Sequence, residues 1–164
     1  MKIDPQSKIK TIEELKILVP QIRASGRRIV FANGCFDLIH AGHVRYLQGA
    51  KALGDVLILG INSDACVRAL KGRGRPLQTE ADRVEILASM ECVDFVLTFD
   101  AMTVDGILGE LKPDVHAKGT DYTEESVPER ETVRAYGGQV AIVGDPKDHS
   151  TRDLIKDVLS RFRT

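Results

Sequence analysis

The 164-residue chain contains only three cysteines, Cys35, Cys66 and Cys92, which are widely spaced and form no C-x-x-C pair. This spacing argues against a disulfide framework and against a cysteine zinc cluster, so we expect three small, buried hydrophobic groups. The chain also lacks an apolar run of membrane-spanning length, and its first residues contain no signal-peptide core. We therefore expect a cytoplasmic protein with no membrane partner.

Neither sign of charge is in excess, since the formal net charge is −1 at pH 7. A balanced chain has no general affinity for nucleic acid, so we expect no nucleic-acid partner. Hydrophobic residues make up 43% of the chain and charged residues 29%, which is typical of a globular domain. The length is sufficient for one domain with a substantial core and too short for two.

Five short apolar runs are separated by segments with helical spacing, and most of the runs are continuous rather than alternating. The runs cover residues 29–32, 56–61, 93–99, 115–117 and 140–143. Continuous runs are typical of parallel strands that helices cover on both faces. The sequence therefore predicts an α/β fold: a Rossmann-like, doubly wound parallel sheet of about five strands. Apolar stripes at 104–111 and 154–162 predict two of the covering helices.

An added helix precedes the sheet. Thr11 and Glu14 form a capping-box pattern, and the apolar stripe continues from Ile12 to Ile22. We expect Pro20 to kink or shorten this helix, because proline lacks the N–H that a helix interior uses. We divide the chain into an N-terminal helical extension, residues 1–26, and a domain, residues 27–164.

The most informative segment is F-A-N-G-C-F-D-L-I-H-A-G-H, residues 31–43. An apolar strand enters a glycine turn, and His40 and His43 then open a helix with a spacing that places both rings on one face. A helix N-terminus leaves backbone N–H groups unpaired and favours negative charge, so the pattern indicates a phosphate site. The alternative is that the histidines only cap the turn.

Polar or glycine-rich residues follow other predicted strands as well. Asn62 to Asp64 follow the second strand, Lys118 to Tyr122 the fourth, and Asp145 to Thr151 the fifth. Because ligands of open parallel sheets bind beyond the carboxyl ends of the strands, we expect these segments to share one site.

The motif N-G-C-F-D-x-x-H-x-G-H resembles the signature of the nucleotidyltransferase superfamily that contains cytidylyltransferases and small adenylyltransferases. Three further segments, Leu70-Lys71-Gly72, Arg75-Pro76 and Lys118-Gly119-Thr120-Asp121-Tyr122, resemble the D-glycero-β-D-manno-heptose 1-phosphate adenylyltransferases. The resemblance extends from about Arg27 to the C-terminus. Thr120 and Arg152 depart from this branch, which commonly has a second glycine and a second threonine there.

The resemblance implies roles for particular residues. Catalytic roles fall on His40, His43 and Lys71; nucleotide binding on Asn33, Gly34, Cys35, Phe36, Gly42, Arg75, Lys118, Gly119, Ser150 and Thr151; substrate binding on Asp37, Asn62, Asp64, Arg83 and Asp121; no residue is assigned to a metal.

Several of these residues also have structural interpretations. The segment from Lys71 to Arg75 could be a mobile basic loop that closes over a triphosphate, or merely a solvated surface. Arg83 could pair with Glu80 on the helix surface, and Ser150 could simply cap the last helix. We expect Cys35 to contribute its backbone N–H rather than a nucleophilic thiol.

The expected activity is transfer of AMP from ATP to a sugar 1-phosphate, giving ADP-heptose, a lipopolysaccharide precursor, and pyrophosphate. Magnesium is expected to arrive bound to the triphosphate. A homodimer and a separate upstream heptose kinase are the expected protein partners. Two alternatives stay open: a cytidylyltransferase for an alcohol phosphate such as glycerol 3-phosphate, and a nucleotide-binding module without turnover.

Overall fold

The computed structural model of the protein describes residues 4–146 and 148–163. At its centre lies a five-stranded sheet in which every pair of neighbouring strands is parallel. Its strands are β1 (Ile29–Gly34), β2 (Val56–Asn62), β3 (Phe95–Phe99), β4 (Val115–Lys118) and β5 (Gln139–Ile142), in the order β3-β2-β1-β4-β5. The predicted fold class and strand number are confirmed.

Helices cover both faces of this sheet. They are a 3₁₀ turn (Pro5–Lys8), α1 (Ile12–Ala24), α2 (Ala41–Lys51), α3 (Asp64–Lys71), α4 (Glu80–Ala88), α5 (Asp105–Leu111), α6 (Arg130–Ala135) and α7 (Thr151–Phe162). One apolar cluster joins α2 and α4 to the sheet, and a second joins α1, α5 and α6 to it. The two clusters form the two halves of the core.

Helix α1 is part of the second half of this core. Leu15, Val19 and Ile22 are buried against strands β1 and β2. The predicted capping box is present, since Thr11 Oγ1 accepts from the Glu14 N–H and Glu14 Oε2 accepts from the Thr11 N–H. The expectation for Pro20 is wrong, because α1 continues through it to Ala24. Burial of the apolar face compensates for the missing backbone hydrogen bond.

Helix α7 differs from the prediction in its surroundings. The helix forms where its apolar stripe predicts, but none of its residues is buried within the described part of the chain. Leu154, Val158, Leu159 and Phe162 are exposed. Helical spacing shows which side chains share a face, whereas it does not show what that face contacts. No helix among the described residues is long and apolar enough to cross a membrane.

Candidate active site

The candidate site lies at the carboxyl ends of β1 and β4, where the strand order reverses direction. From β1 the chain proceeds outward through β2 and β3, and it then returns to the other side of β1 for β4 and β5. Such a reversal leaves a crevice between neighbouring loops. A cavity of about 830 Å³ occupies it. The cavity is lined by every predicted site residue except Asp64 and Arg83.

The two motif histidines lie at the N-terminus of α2. His40 is the N-cap residue, and its ring stacks on that of His43 with centroids 3.9 Å apart. The His40 backbone N–H donates to His43 Nδ1 at 3.3 Å. In the neutral imidazole of His43 the proton is therefore on Nε2. Burial, then the nearby His40 and Lys71, lower the pKa of His43 to about 4, so it is a neutral donor at pH 7.

His40 differs from His43 in the hydrogen bonding of its Nδ1. Its Nδ1 is buried and has no hydrogen-bond partner among the described residues. Burial, and to a lesser extent His149, lower the pKa of His40. A buried ring nitrogen without a partner is costly unless a ligand or water pairs with it. His40 also lines the cavity, so the rest of its ring is placed to contact a ligand there.

Two glycines create the space that this geometry requires. A side chain at Gly42 would place its Cβ 3.0 Å from the His40 ring. A Cβ at Gly34 would lie 3.0 Å from the Phe36 ring, which packs 5.4 Å from the ring of His43. Phe36 itself has φ of +51°, a left-handed conformation that non-glycine residues seldom adopt. Unusual backbone of this kind is often found where a fold fixes a functional loop.

A second helix N-terminus faces the cavity from α7. Ser150 is the N-cap, and its Oγ accepts from the Asp153 N–H at 3.1 Å. Thr151 Oγ1 donates to the Asp37 carbonyl at 2.7 Å and so joins α7 to the motif loop. His149, which the sequence analysis did not select, also lines the cavity, 6.4 Å from the His40 ring. Two partial positive charges therefore converge on one space.

Only part of the basic segment is a loop. Lys71 is the last residue of α3, not part of a loop, and its side chain reaches the cavity. Arg75 Nε donates to Asp37 Oδ2 at 2.6 Å. Asp37 also accepts from the N–H groups of Leu77 and Gln78, and its side chain is fully buried. Asp37 therefore holds the 75–78 segment in place, and its carboxylate is occupied within the protein rather than turned to a substrate.

Arg83 lies behind the cavity rather than in it. It is fully buried, and its guanidinium donates to the carbonyls of Cys35 and Asn62 at 2.6 and 2.9 Å. It also pairs with Asp64 Oδ1 at 2.8 Å, so the alternative pairing with Glu80 is not observed. Arg83 joins the ends of β1 and β2, and neither it nor Asp64 is placed to bind substrate directly. A sequence pattern cannot distinguish a buried arginine that joins two strand ends from an arginine that binds a ligand.

Asn33 and Cys35 lie on the floor of the cavity. Asn33 Oδ1 is 3.0 Å from Nε2 of His116, a fully buried histidine that the sequence analysis did not select. Burial, then the nearby Lys118, lower the pKa of His116 to about 3 despite the opposing charge of Asp105. Its neutral ring donates from Nε2, which leaves the Asn33 amide N–H₂ for the cavity. Burial raises the pKa of the Cys35 thiol, which does not favour a nucleophile.

The other end of the cavity is formed by the segment after β4. Lys118 lies 3.8 Å from Glu129 Oε2 and 4.6 Å from the ring centre of Tyr122. Burial lowers the pKa of Lys118, and Glu129 opposes this effect. Thr120 Oγ1 donates to the Asp145 carbonyl at 2.7 Å, so this departure from the family pattern joins two loops. Gly119 and Asp121 also line this end.

Two cavity-lining residues had little or no sequence signal. Tyr46 Oη donates to the Ala117 carbonyl at 2.8 Å and ties α2 to β4, and its spacing from His43 was the available clue. Glu129 is separated from every motif, and only the fold brings it to the cavity. Within residues 4–146 and 148–163, no three His, Cys, Asp or Glu side chains are grouped in a way that could hold a metal ion.

A family model described as cytidylyltransferase-like matches residues 31–159, which span both helix N-termini and the segment after β4. The chain belongs to this family. The matched region contains every residue of the H-x-G-H motif, as well as Lys71 and the segment that begins at Lys118.

Curated relatives match almost the whole chain. "Bifunctional protein HldE" of Pelobacter propionicus is 51% identical over 97% of this chain and 33% of its own length. The protein of the same name from Geobacter metallireducens is 48% identical over 97% of this chain and 32% of its own. The chain thus spans about one third of these relatives. Because they are bifunctional, they give no support to the expectation of a separate upstream kinase.

A solved structure is also similar. The lipopolysaccharide core biosynthesis protein from Thermoplasma volcanium superposes with a TM-score of 0.64 at 25% identity, covering 74% of this chain and all of that one.

Proposed function

We propose that the chain transfers AMP from ATP to D-glycero-β-D-manno-heptose 1-phosphate, giving ADP-heptose and pyrophosphate. The observation that carries the proposal is the stacked His40–His43 pair at the start of α2, facing the same cavity as the start of α7. Two helix N-termini and two imidazoles around one cavity suit a ligand with several phosphates.

The reaction places modest chemical demands on the protein. An oxygen of the acceptor phosphate attacks the α-phosphorus of ATP, the bond from that phosphorus to the bridging oxygen breaks, and pyrophosphate leaves with the bonding pair. The acceptor is already an anion, so no strong general base is needed. Positioning and charge stabilisation provide most of the catalysis in phosphoryl-type transfers.

The residues of the cavity match these demands. His43 Nε2–H is a preorganised neutral donor for a phosphate oxygen, and the His40 ring that stacks on it lines the same cavity. Lys71 would stabilise the negative charge that develops on the leaving pyrophosphate. Asp37 and Arg83 act as positioning residues, because their side chains bind the segments that carry the contacts.

Magnesium is proposed to bind through the triphosphate and water, where it would neutralise phosphate charge. The cavity offers hydrogen-bond donors for the phosphates that would carry the ion.

The choice of heptose 1-phosphate and ATP rests on the branch-specific segments together with the bifunctional relatives. Lys71-Gly72, Arg75-Pro76 and the segment from Lys118 to Tyr122 resemble the heptose branch jointly. The phosphate machinery alone does not distinguish ATP from CTP, because it contacts neither base.

A pyrophosphate-release screen tests the proposal. The chain is incubated with Mg²⁺, each common nucleoside triphosphate, and heptose 1-phosphate, glycerol 3-phosphate or no acceptor. We expect the highest kcat/KM for ATP with the β-anomer of heptose 1-phosphate. A higher value for CTP with glycerol 3-phosphate would refute the substrate assignment, and nucleotide binding without pyrophosphate release would refute the enzymatic one.

A further inference from the structure

A buried pair of opposite charges lines the same cavity as the histidines. Glu129 is the N-cap residue of α6, and Lys118 is the last residue of β4. Only 4% of Glu129 and 7% of Lys118 is exposed, yet both line the cavity. Charged side chains are seldom buried this deeply unless they are paired or hydrogen-bonded.

The pair is incompletely satisfied. The 3.8 Å between Lys118 Nζ and Glu129 Oε2 is too long for a hydrogen bond. Within the described part of the chain, that oxygen is buried and has no hydrogen-bond partner. Removing an acceptor of this kind from water is costly when nothing replaces the lost hydrogen bonds. The geometry therefore favours a ligand that donates hydrogen bonds at this position.

The chemistry of the pair restricts that ligand. A carboxylate is negatively charged and can only accept hydrogen bonds, so it repels phosphate and favours hydroxyl groups. The ammonium beside it can only donate hydrogen bonds. A hydroxyl group does both, and can bridge a carboxylate and an ammonium that are slightly too far apart to bond directly. Phe99, Met102 and Val104 provide an apolar wall in the same cavity, suited to the C–H face of a sugar ring.

Position separates this pair from the phosphate contacts. Glu129 belongs to the sheet face that α1, α5 and α6 cover, whereas α2 packs with α4 on the other face. The start of α2, with its two histidines, and the start of α6, with Glu129, therefore approach the cavity from opposite faces of the sheet. A nucleotide held at the starts of α2 and α7 leaves the pair for the acceptor.

We propose that Glu129 and Lys118 bind hydroxyl groups of the acceptor sugar and determine its specificity, with Glu129 accepting and Lys118 donating. This inference rests on the proposed function, because it requires that the acceptor is a sugar phosphate.

The test is the steady-state kinetics of Glu129→Gln, with heptose 1-phosphate and ATP varied in turn. Glutamine keeps the shape but loses the charge. We expect the KM for heptose 1-phosphate to rise about 10- to 100-fold, the range of one lost hydrogen bond to a charged group, with the KM for ATP changing less than about threefold. Glu131→Gln is the matched control, because Glu131 is 73% exposed on the same helix and pairs with Arg130 and Arg134.

Deoxy analogues of the sugar phosphate add a readout that a merely structural role would not change. In the wild type, the analogue lacking the contacted hydroxyl should lose at least about tenfold in kcat/KM, because the site's polar groups are then left unpaired. In Glu129→Gln the same analogue and the parent sugar should differ much less. Thermal melting verifies that each variant is folded, and Glu129→Ala serves as a second variant.

The outcomes separate the two proposals. No turnover of any sugar 1-phosphate by the wild type refutes the proposed function and this inference with it. Wild-type turnover with an unchanged KM for the sugar in folded Glu129→Gln refutes the inference alone. A rise in the KM for ATP instead of the sugar would assign the pair to the ribose and also refute it.

Discussion

Acidification should destabilise the protein through His116, and His116→Gln should remove that sensitivity. His116 is fully buried, and burial lowers its pKa to about 3. In the unfolded chain a histidine titrates near pH 6.5. Between these values the unfolded state binds a proton that the folded state does not, so stability is present above pH 6.5 and falls as the pH falls towards 3.

The magnitude follows from the width of that window. Each pH unit below 6.5 removes about 1.4 kcal/mol until the folded pKa is reached, so His116 accounts for about 2–3 kcal/mol between pH 7 and pH 4.5. Glutamine can donate to Asn33 from nearly the same position and does not titrate. At pH 7 the variant should lose about 1 kcal/mol because it packs less well against Phe31.

Urea unfolding followed by circular dichroism at pH 7 and pH 4.5 measures both quantities. The chain has no tryptophan, so fluorescence is the weaker probe. The loss of stability on acidification should be about 2–3 kcal/mol smaller in His116→Gln than in the wild type, with equal m-values. Phe31→Leu, a neutral change in the same cluster, should lower stability equally at both pH values. An equal acid-induced loss in His116→Gln and the wild type would refute the reasoning.

Three further predictions concern activity. His43→Ala should lower kcat about 10²- to 10³-fold in a folded protein, because it removes one preorganised donor to the transition state, and near-normal turnover would contradict the phosphate assignment. Lys71→Ala should lower kcat far more than the melting temperature, since Lys71 is exposed at the end of α3; a large loss of stability with normal kcat would indicate a structural role. Cys35→Ser should retain activity, because the raised pKa of the thiol opposes a nucleophilic role; a folded but inactive variant would contradict this.

Much of the fold could be predicted because its determinants are local. The apolar run before the motif forms β1, and Thr11 and Ser150 begin helices where their capping patterns indicate. The predicted effect of Pro20 is wrong because the lost backbone hydrogen bond is local, whereas the burial that compensates for it involves residues of β1 and β2. The exposed face of α7 could not be predicted for the same reason, since periodicity contains no information about contacts.

The site could be predicted in part. The sequence could predict that His40 and His43 lie together, because their spacing of one helical turn places both rings on one face of the helix. Asp37 is an acidic residue, and Arg83 a basic one, whether it binds substrate or has a buried structural role. Only burial in the structure distinguishes the binding role from the structural one. Glu129 comes to the cavity, and His116 comes to its position behind Asn33, through parallel strand pairing and the crossovers around it, so no local pattern could identify them.

The histidine pair illustrates how the proposed phosphate site can be built from neutral groups. Two half-buried imidazolium ions whose ring centres lie 3.9 Å apart would repel each other and lose part of their hydration, which favours neutral rings. The helix N-termini already provide positive potential without that cost, and the exposed Lys71 side chain lies at the edge of the same cavity. When a triphosphate binds, its negative charge raises the pKa of both rings, so the donors strengthen where the anion lies. A site of this kind would become more positive only in response to its ligand.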